Sequence, residues 1–148
     1  MRATPCGWRH ERGAAMTHEL PIKVYYEDTD MGGVVYYANY LKFIERARSE
    51  LVEEMGIDQN ALRERDGLVF VVVRVVADYK APARLMDRLV VRTEHHAASA
   101  ARWVFDQRVW RGETLLFAAE VTAVCMTLAG RPAKLPALLR GKLPQKGA

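Results

Sequence analysis

Two aspartates two positions apart, Asp28 and Asp30, stand in the stretch YYEDTDMGGVVYYANY, residues 25–40. The same stretch holds the adjacent Gly32 and Gly33 and five of the chain's six tyrosines. A strand-like run precedes it and a helical run follows. Carboxylates at such a junction are solvated, paired or used. The start of a helix presents unpaired N–H groups and about half a positive charge. A carbonyl placed there is polarised, and an oxyanion forming there is stabilised. One well-aimed donor contributes about 3 kcal/mol to a transition state. A carboxylate beside that point can attack a carbonyl carbon or take a proton from water. Acyl transfer to water fits these parts. A plainer reading fits too, because aspartate ahead of a glycine turn makes an Asx-turn or caps a helix. Residue types alone do not separate Asp28 from Asp30.

The elements that must position these residues follow from periodicity. Ile22 to Asp28 alternates, with Ile22, Val24 and Tyr26 on one side, and reads as a half-buried strand. DMGG is turn chemistry. From Ala38 to Met55 the period changes: Tyr40, Ile44, Ala47, Leu51 and Met55 share a stripe, widened by Leu41, Phe43 and Val52. That is an amphipathic helix of about 18 residues, stopped at Gly56. Gln59 to Arg65 adds a turn or two of helix. Strands are expected over Leu68–Ala81, Arg88–Ala97, Arg102–Trp110 and Thr114–Met126, with one helical turn at Pro136–Arg140 in the tail. Short connections make consecutive strands antiparallel. One helix with one apolar stripe needs one sheet face. The expectation is an α+β domain, a five-stranded antiparallel sheet wrapped around one long central helix.

The chain has 148 residues, half of them hydrophobic and 27% charged, which suits one globular domain rather than two. No apolar run approaches the roughly 20 residues of a transmembrane helix. The net charge of +4 is spread along the chain without aromatic interleaving, so a nucleic-acid platform is not expected. Residues 1–15 lack the apolar stretch of a signal peptide and read as a disordered leader or extended start, with residues 16–148 forming the domain. Cys125 sits in an apolar strand and reads as a packed thiol; no disulfide framework points to an oxidising compartment.

Several chemistries lack their residues. The two serines, Ser49 and Ser99, lie outside any G-x-S-x-G elbow. His95 and His96 are adjacent, so on a strand they face opposite ways and do not share a metal. Gly32-Gly33 is a turn signal, not a phosphate loop.

VYYEDTDMGGVVYYANYLKFIERARSELV, with YKAPARLMD downstream, resembles the Tol-Pal-associated acyl-CoA thioesterases (the YbgC type) of the 4-hydroxybenzoyl-CoA thioesterase-like hotdog superfamily. The resemblance runs from about Ile22 to Pro136. It implies the hotdog fold and hydrolysis of an acyl-CoA thioester to free acid and CoA. It assigns Asp30 as nucleophile or general base, the backbone N–H near Tyr37 as the oxyanion donor, and Gly33 as the point of close approach. Asp28 becomes a structural pin. Val34, Val35, Tyr36 and Phe70 are expected to shape the acyl pocket, and Lys80, Arg84 and Arg102 to meet the nucleotide phosphates. The resemblance implies a cytoplasmic homodimer or homotetramer with substrate between subunits, acyl carrier protein as a further partner, and no metal or redox cofactor. Tyr37 departs from the pattern, since close relatives often carry His there. HHAASAARWVF also lacks the expected basic-glycine turn. A different class, a non-catalytic acyl-CoA or acyl carrier protein binding module, would keep the cleft without needing Asp30. A hotdog hydratase would need a His near the helix, and none occurs between His18 and His95.

Overall fold

The computed structural model describes residues 7–9, 17–140 and 143. Six strands form one antiparallel sheet: β1 Gly7–Arg9, β2 Thr17–Lys23, β3 Leu68–Tyr79, β4 Arg88–Ala97, β5 Arg102–Arg111 and β6 Thr114–Thr127. Their spatial order is β1-β2-β4-β5-β6-β3. The five expected strands are all present. The three-residue β1 adds a short partner to β2 and is the part of residues 1–15 that lies among the described residues.

Two helices separate β2 from β3. The first, α1, spans Asn39–Glu54, and the second, α2, spans Gln59–Asp66. Gly56 follows α1 with φ +89°, as its stop position requires. The stripe read from the sequence is the buried one: Tyr40, Ile44, Ala47 and Leu51 are covered, joined by Phe43 and Val52. Leu41 remains exposed. Asp58 caps α2, its Oδ1 accepting the Ala61 N–H at 3.1 Å. A last short helix, α3, covers Ala137–Arg140.

The sheet wraps around α1, which packs on β2, β4 and β5. There its apolar stripe meets Leu89, Val91, Phe105 and Val109. A polar pin fixes the helix against the sheet. Buried Gln107 of β5 donates from Nε2 to the Ile44 carbonyl at 2.9 Å and to Thr93 Oγ1 at 3.0 Å, and its Oε1 accepts from Arg48 at 2.9 Å.

The first expected strand is corrected at both ends. It runs from Thr17, paired to β4 from His18↔Thr93 onward, and stops at Lys23. Tyr26–Asp28 is a single 3-10 turn. The Asp28 carboxylate accepts the Tyr25 N–H at 2.9 Å, and this local bond draws the chain out of the ladder. The alternation through Tyr26 was thus real in composition and absent in structure.

In β4, His95 Nδ1 accepts the Trp103 indole N–H at 3.1 Å. Burial, then the charges of His96 and His18, push the His95 imidazole down to about 4. An unfolded histidine titrates near 6.5. Between these values the unfolded chain binds a proton that the folded chain refuses. The resulting stabilisation is present above about pH 6.5 and lost as pH falls toward 4. A fall from 6.5 to about 4 corresponds to at most about 3.4 kcal/mol. The urea midpoint should fall from pH 7 to pH 5, and a His95→Phe variant should show a shallower fall. A wild-type midpoint flat across that range contradicts this account.

Candidate active site

The motif between β2 and α1 is held by Asp28 from three directions. Besides its carboxylate bond to Tyr25, its carbonyl accepts the Tyr36 N–H and the Asn39 Nδ2–H, each at 2.9 Å. Asp28 is buried. Ala38, at the helix N-cap, makes no side-chain cap bond, so Asn39 reaching back to Asp28 is what ties the helix start to the turn. The Asn39 N–H takes the Tyr36 carbonyl at 2.8 Å.

Asp30 sits apart from this pin and is exposed. Its Oδ1 accepts the Gly32 N–H at 2.8 Å. Among the described residues, Oδ2 has no hydrogen-bond partner. The Asx-turn expected on the plain reading is therefore present at Asp30, and it occupies one oxygen of the two. Gly32 stands close: a Cβ there would meet Asp30 Oδ1 at 3.1 Å. Gly33 has open space around it, and its φ of +73° is what requires glycine.

A second segment is stapled onto the motif. The Val35 N–H donates to the Ala83 carbonyl at 2.8 Å, the Ala83 N–H donates to Tyr40 Oη at 3.1 Å, and Val34 bridges Arg84. Asp87 holds this segment in shape. It accepts the Arg84 N–H at 2.9 Å and pairs with Arg111 at 2.8 Å. Burial alone would raise the Asp87 carboxyl, but these bonds outweigh it and hold the group below the usual carboxylate range.

Beside the helix start lies a cleft of about 260 Å³, lined by Val35, Tyr37, Tyr40, Tyr79, Lys80, Ala81 and Pro82. Tyr79 Oη donates to the Tyr37 carbonyl at 2.9 Å. That bond fixes the peptide plane joining Tyr37 to Ala38, and so fixes the direction of the next N–H. Burial raises the Tyr79 phenol, with Tyr37 and Tyr40 adding to the shift. The adjacent Tyr37 phenol raises Tyr36.

Eight of the ten expected site residues thus come together at one end of the molecule: Asp30, Gly33, Val34, Val35, Tyr36, Tyr37, Lys80 and Arg84. Phe70 and Arg102 do not join them within one chain. Phe70 lies nine strand residues from Tyr79, about 30 Å along β3. Arg102 is exposed at the start of β5, its N–H bonded to Ser99 Oγ at 3.1 Å. Sequence reasoning missed Tyr79, Asp87 and Arg111. The position of Tyr79 directly before Lys80 was the available signal. Among the described residues, no group of three or more His, Cys, Asp or Glu is placed to hold a metal. No helix there is long and apolar enough to cross a membrane.

The family model of the thioesterase-like superfamily matches residues 24–143. The chain belongs to that superfamily. Among its relatives, acyl-CoA thioesterase YbgC of Haemophilus influenzae is 44% identical over 74% of this chain and 80% of its own length. Acyl-CoA thioester hydrolase YbgC of Escherichia coli O6:H1 is 46% identical over 78% of this chain and 87% of its own. A solved probable thioesterase from Bartonella henselae superposes with a TM-score of 0.77 at 34% identity, covering 81% of this chain and 99% of that one. This thioesterase-like chain is thus of the YbgC type, and its wrapped sheet is the hotdog fold.

The bonds at Asp28 give a stability prediction independent of chemistry. Asp28→Ala removes the acceptor for Tyr25 and should cost about 1–3 kcal/mol. A lowered urea midpoint at unchanged slope would report it; an unchanged midpoint would show that Asp28 does not pin the turn.

Proposed function

We propose that this protein hydrolyses acyl-CoA thioesters to free acid and CoA, with Asp30 supplying the carboxylate and the helix start supplying the oxyanion donor. The observation that carries the reading is the single hydrogen bond on the Asp30 carboxylate. One oxygen is anchored at 2.8 Å by Gly32 N–H, which orients the group, while the other is left for chemistry. The thioester carbonyl would sit by the cleft beside Tyr37, near the positive end of α1. Its oxygen would take the Tyr37 N–H as charge develops, and Tyr79 would hold the adjoining peptide plane against movement. Asp30 would then either attack the carbonyl carbon, forming a mixed anhydride that water cleaves to the free acid and the regenerated carboxylate, or deprotonate a water that attacks the carbonyl directly; in both routes CoA thiolate leaves and takes up a proton. Val34, Val35 and Tyr36 would border the acyl group, and Lys80 and Arg84 would meet the nucleotide phosphates. The reaction as written needs no metal or redox cofactor, and we place it in the cytoplasm. Acyl carrier protein is a further proposed carrier of the acyl group.

The same reading includes a second copy of the chain. β3 is an edge strand of twelve residues, and Val71, Val72, Val73, Val75 and Val76 are each between 38% and 48% exposed. A long apolar edge of this kind is a template for another strand. Antiparallel self-pairing about Arg74 would set Phe70 opposite Asp78 of the partner subunit. Phe70 and Arg102 would thereby approach the partner's catalytic end, which is how residues about 30 Å apart in one chain could serve one site. The assembly is proposed as a homodimer, or a homotetramer built from it.

Asp30→Asn should retain the wild-type melting temperature and lose turnover of an acyl-CoA panel by about 10²-fold or more, read as thiol release. Near-normal turnover in the folded variant would remove Asp30 from the chemistry and favour a binding module. Val73→Lys with Val75→Lys should convert the assembly to monomer by light scattering. A variant that stays dimeric would place the interface elsewhere.

A further inference from the structure

The segment that carries the proposed oxyanion donor is held residue by residue. The Val35 N–H goes to the Ala83 carbonyl at 2.8 Å, the Tyr36 N–H goes to the Asp28 carbonyl at 2.9 Å, and the Tyr37 carbonyl accepts the Tyr79 hydroxyl at 2.9 Å. Tyr79 belongs to β3 and Asp28 to the 3-10 turn, so both anchors have an element behind them. Ala83 has none. It lies in the connection between β3 and β4, is fully buried, and has only a methyl group as a side chain. Both of its backbone groups are engaged by the motif, the carbonyl by Val35 and the N–H by Tyr40 Oη at 3.1 Å. Its place must be set from its neighbours.

One guanidinium does this. Arg111, the last residue of β5, donates from Nη1 to the Pro82 carbonyl at 3.1 Å and to Asp87 Oδ2 at 2.8 Å. The same Asp87 oxygen accepts the Arg84 N–H at 2.9 Å, and the Asp87 N–H returns to the Arg84 carbonyl at 3.0 Å. The residues on either side of Ala83 are thus tied to one cation–carboxylate pair. The pair is also felt in the cleft: burial raises the Tyr40 phenol, the Ala83 bond and the Arg111 charge oppose the rise, and Asp87 adds to it. With side chains 38% and 24% exposed, such a pair contributes little to stability. Its effect is directional, because the guanidinium is planar and its N–H groups diverge at fixed angles.

We infer, taking the thioester hydrolysis proposed above as given, that Arg111 is a positioning residue for that reaction: with Asp87 it sets Ala83, Ala83 sets Val35, and Val35 sets the Tyr37 N–H two residues on. Arg111 touches no reacting atom in this arrangement. A displacement of about 1 Å at a reacting centre costs about 10²-fold in rate, so a loosened loop is felt in turnover before it is felt in folding.

Two substrates separate this role from a direct one. One is an acyl-CoA that the wild type turns over; the other carries the same acyl group on N-acetylcysteamine, which has the thioester and no nucleotide. Arg111→Gln should lower kcat by about 10- to 100-fold and by the same factor on both, with KM for the short thioester changed less than about threefold. Arg111→Lys keeps the charge without the planar geometry and should fall between. Asp87→Asn should also lower kcat, and joining it to Arg111→Gln should add little. Each variant should melt within about 4 °C of wild type, and the Val35 and Ala83 amide signals should move in a nitrogen–proton spectrum. A loss confined to the CoA ester makes Arg111 a phosphate contact and overturns the positioning role. A lowered melting temperature with unchanged kcat makes the pair merely structural and overturns it too. Where Arg111→Gln does not fold, Arg111→Lys and Asp87→Asn decide by the same comparison. A wild type that hydrolyses neither thioester sinks the thioesterase reading and this role with it, whereas an active wild type indifferent to Arg111 sinks this role alone.

Discussion

The three bonds made by Asp28 are the constraint on which the rest of this end of the molecule depends. Between the end of β2 and the first turn of α1 the chain must reverse direction while entering the core. Backbone groups there have no ladder to join, and leaving them unpaired in a buried setting is costly. Asp28 gathers two of them, the N–H groups of Tyr25 and Tyr36, and with them the side-chain amide of Asn39. This places the buried aspartate in a structural role and leaves its neighbour two residues on free to face water. The segment Ala81–Arg84 then docks on the same frame through Val35, Val34 and Tyr40. The cleft beside Tyr37 is the space between these two stapled segments and the end of β3.

A second constraint is the mismatch between one helix and a wide sheet. α1 lies mainly on β2, β4 and β5 and meets β6 and β3 at its first turn, where Tyr40 stacks on Phe117 at 5.0 Å and meets Tyr79 edge-on at 5.6 Å. The cleft beside Tyr37 opens next to these rings, with Tyr40 and Tyr79 in its lining. The Tyr37 cleft is at the N-terminal end of α1, where the helix field favours negative charge. Among the described residues, β3 ends the sheet on this side, so the recess at the helix start and the strand edge lie next to each other.

Most of the fold was legible because burial in these elements is periodic. The α1 stripe and the four later strands emerged within a residue or two of their observed bounds. The misread lay at Val24–Asp28, where a side-chain acceptor three residues away outcompeted the ladder; alternation counts apolar residues and is blind to such a bond. The candidate site was legible in part for a related reason. Residues clustered in YYEDTDMGGVVYYANY stay clustered in space, and YKAPAR joins them by strand registry. Phe70 and Arg102 were grouped with them by analogy, yet a strand of twelve residues carries its ends far apart. No local pattern encodes that separation. Tyr79 was missed because a tyrosine ending a strand looks like ordinary edge packing until its hydroxyl is seen on the Tyr37 carbonyl.

Asp28 and Asp30 show how two identical side chains at one junction come to differ. A carboxylate has about four acceptor positions on two oxygens. Asp28 sits under the turn, where its own carbonyl is recruited as well, and a side chain so placed is part of the scaffold. At Asp30, Gly32 supplies one N–H and no side chain, because a Cβ there would stand 3.1 Å from the bonded oxygen. One bond is enough to limit rotation of the carboxylate, and it leaves the second oxygen's lone pairs unengaged. Two bonds would orient it better and engage both oxygens; none would leave it to sample many directions. The adjacent Gly33, held at positive φ, lets the chain turn back so that Val34 and Val35 reach Arg84 and Ala83. The glycine pair therefore acts in two ways of different physical kind, room beside a carboxylate at Gly32 and a backbone reversal at Gly33, and the positive φ of Gly33 is the one that calls for glycine.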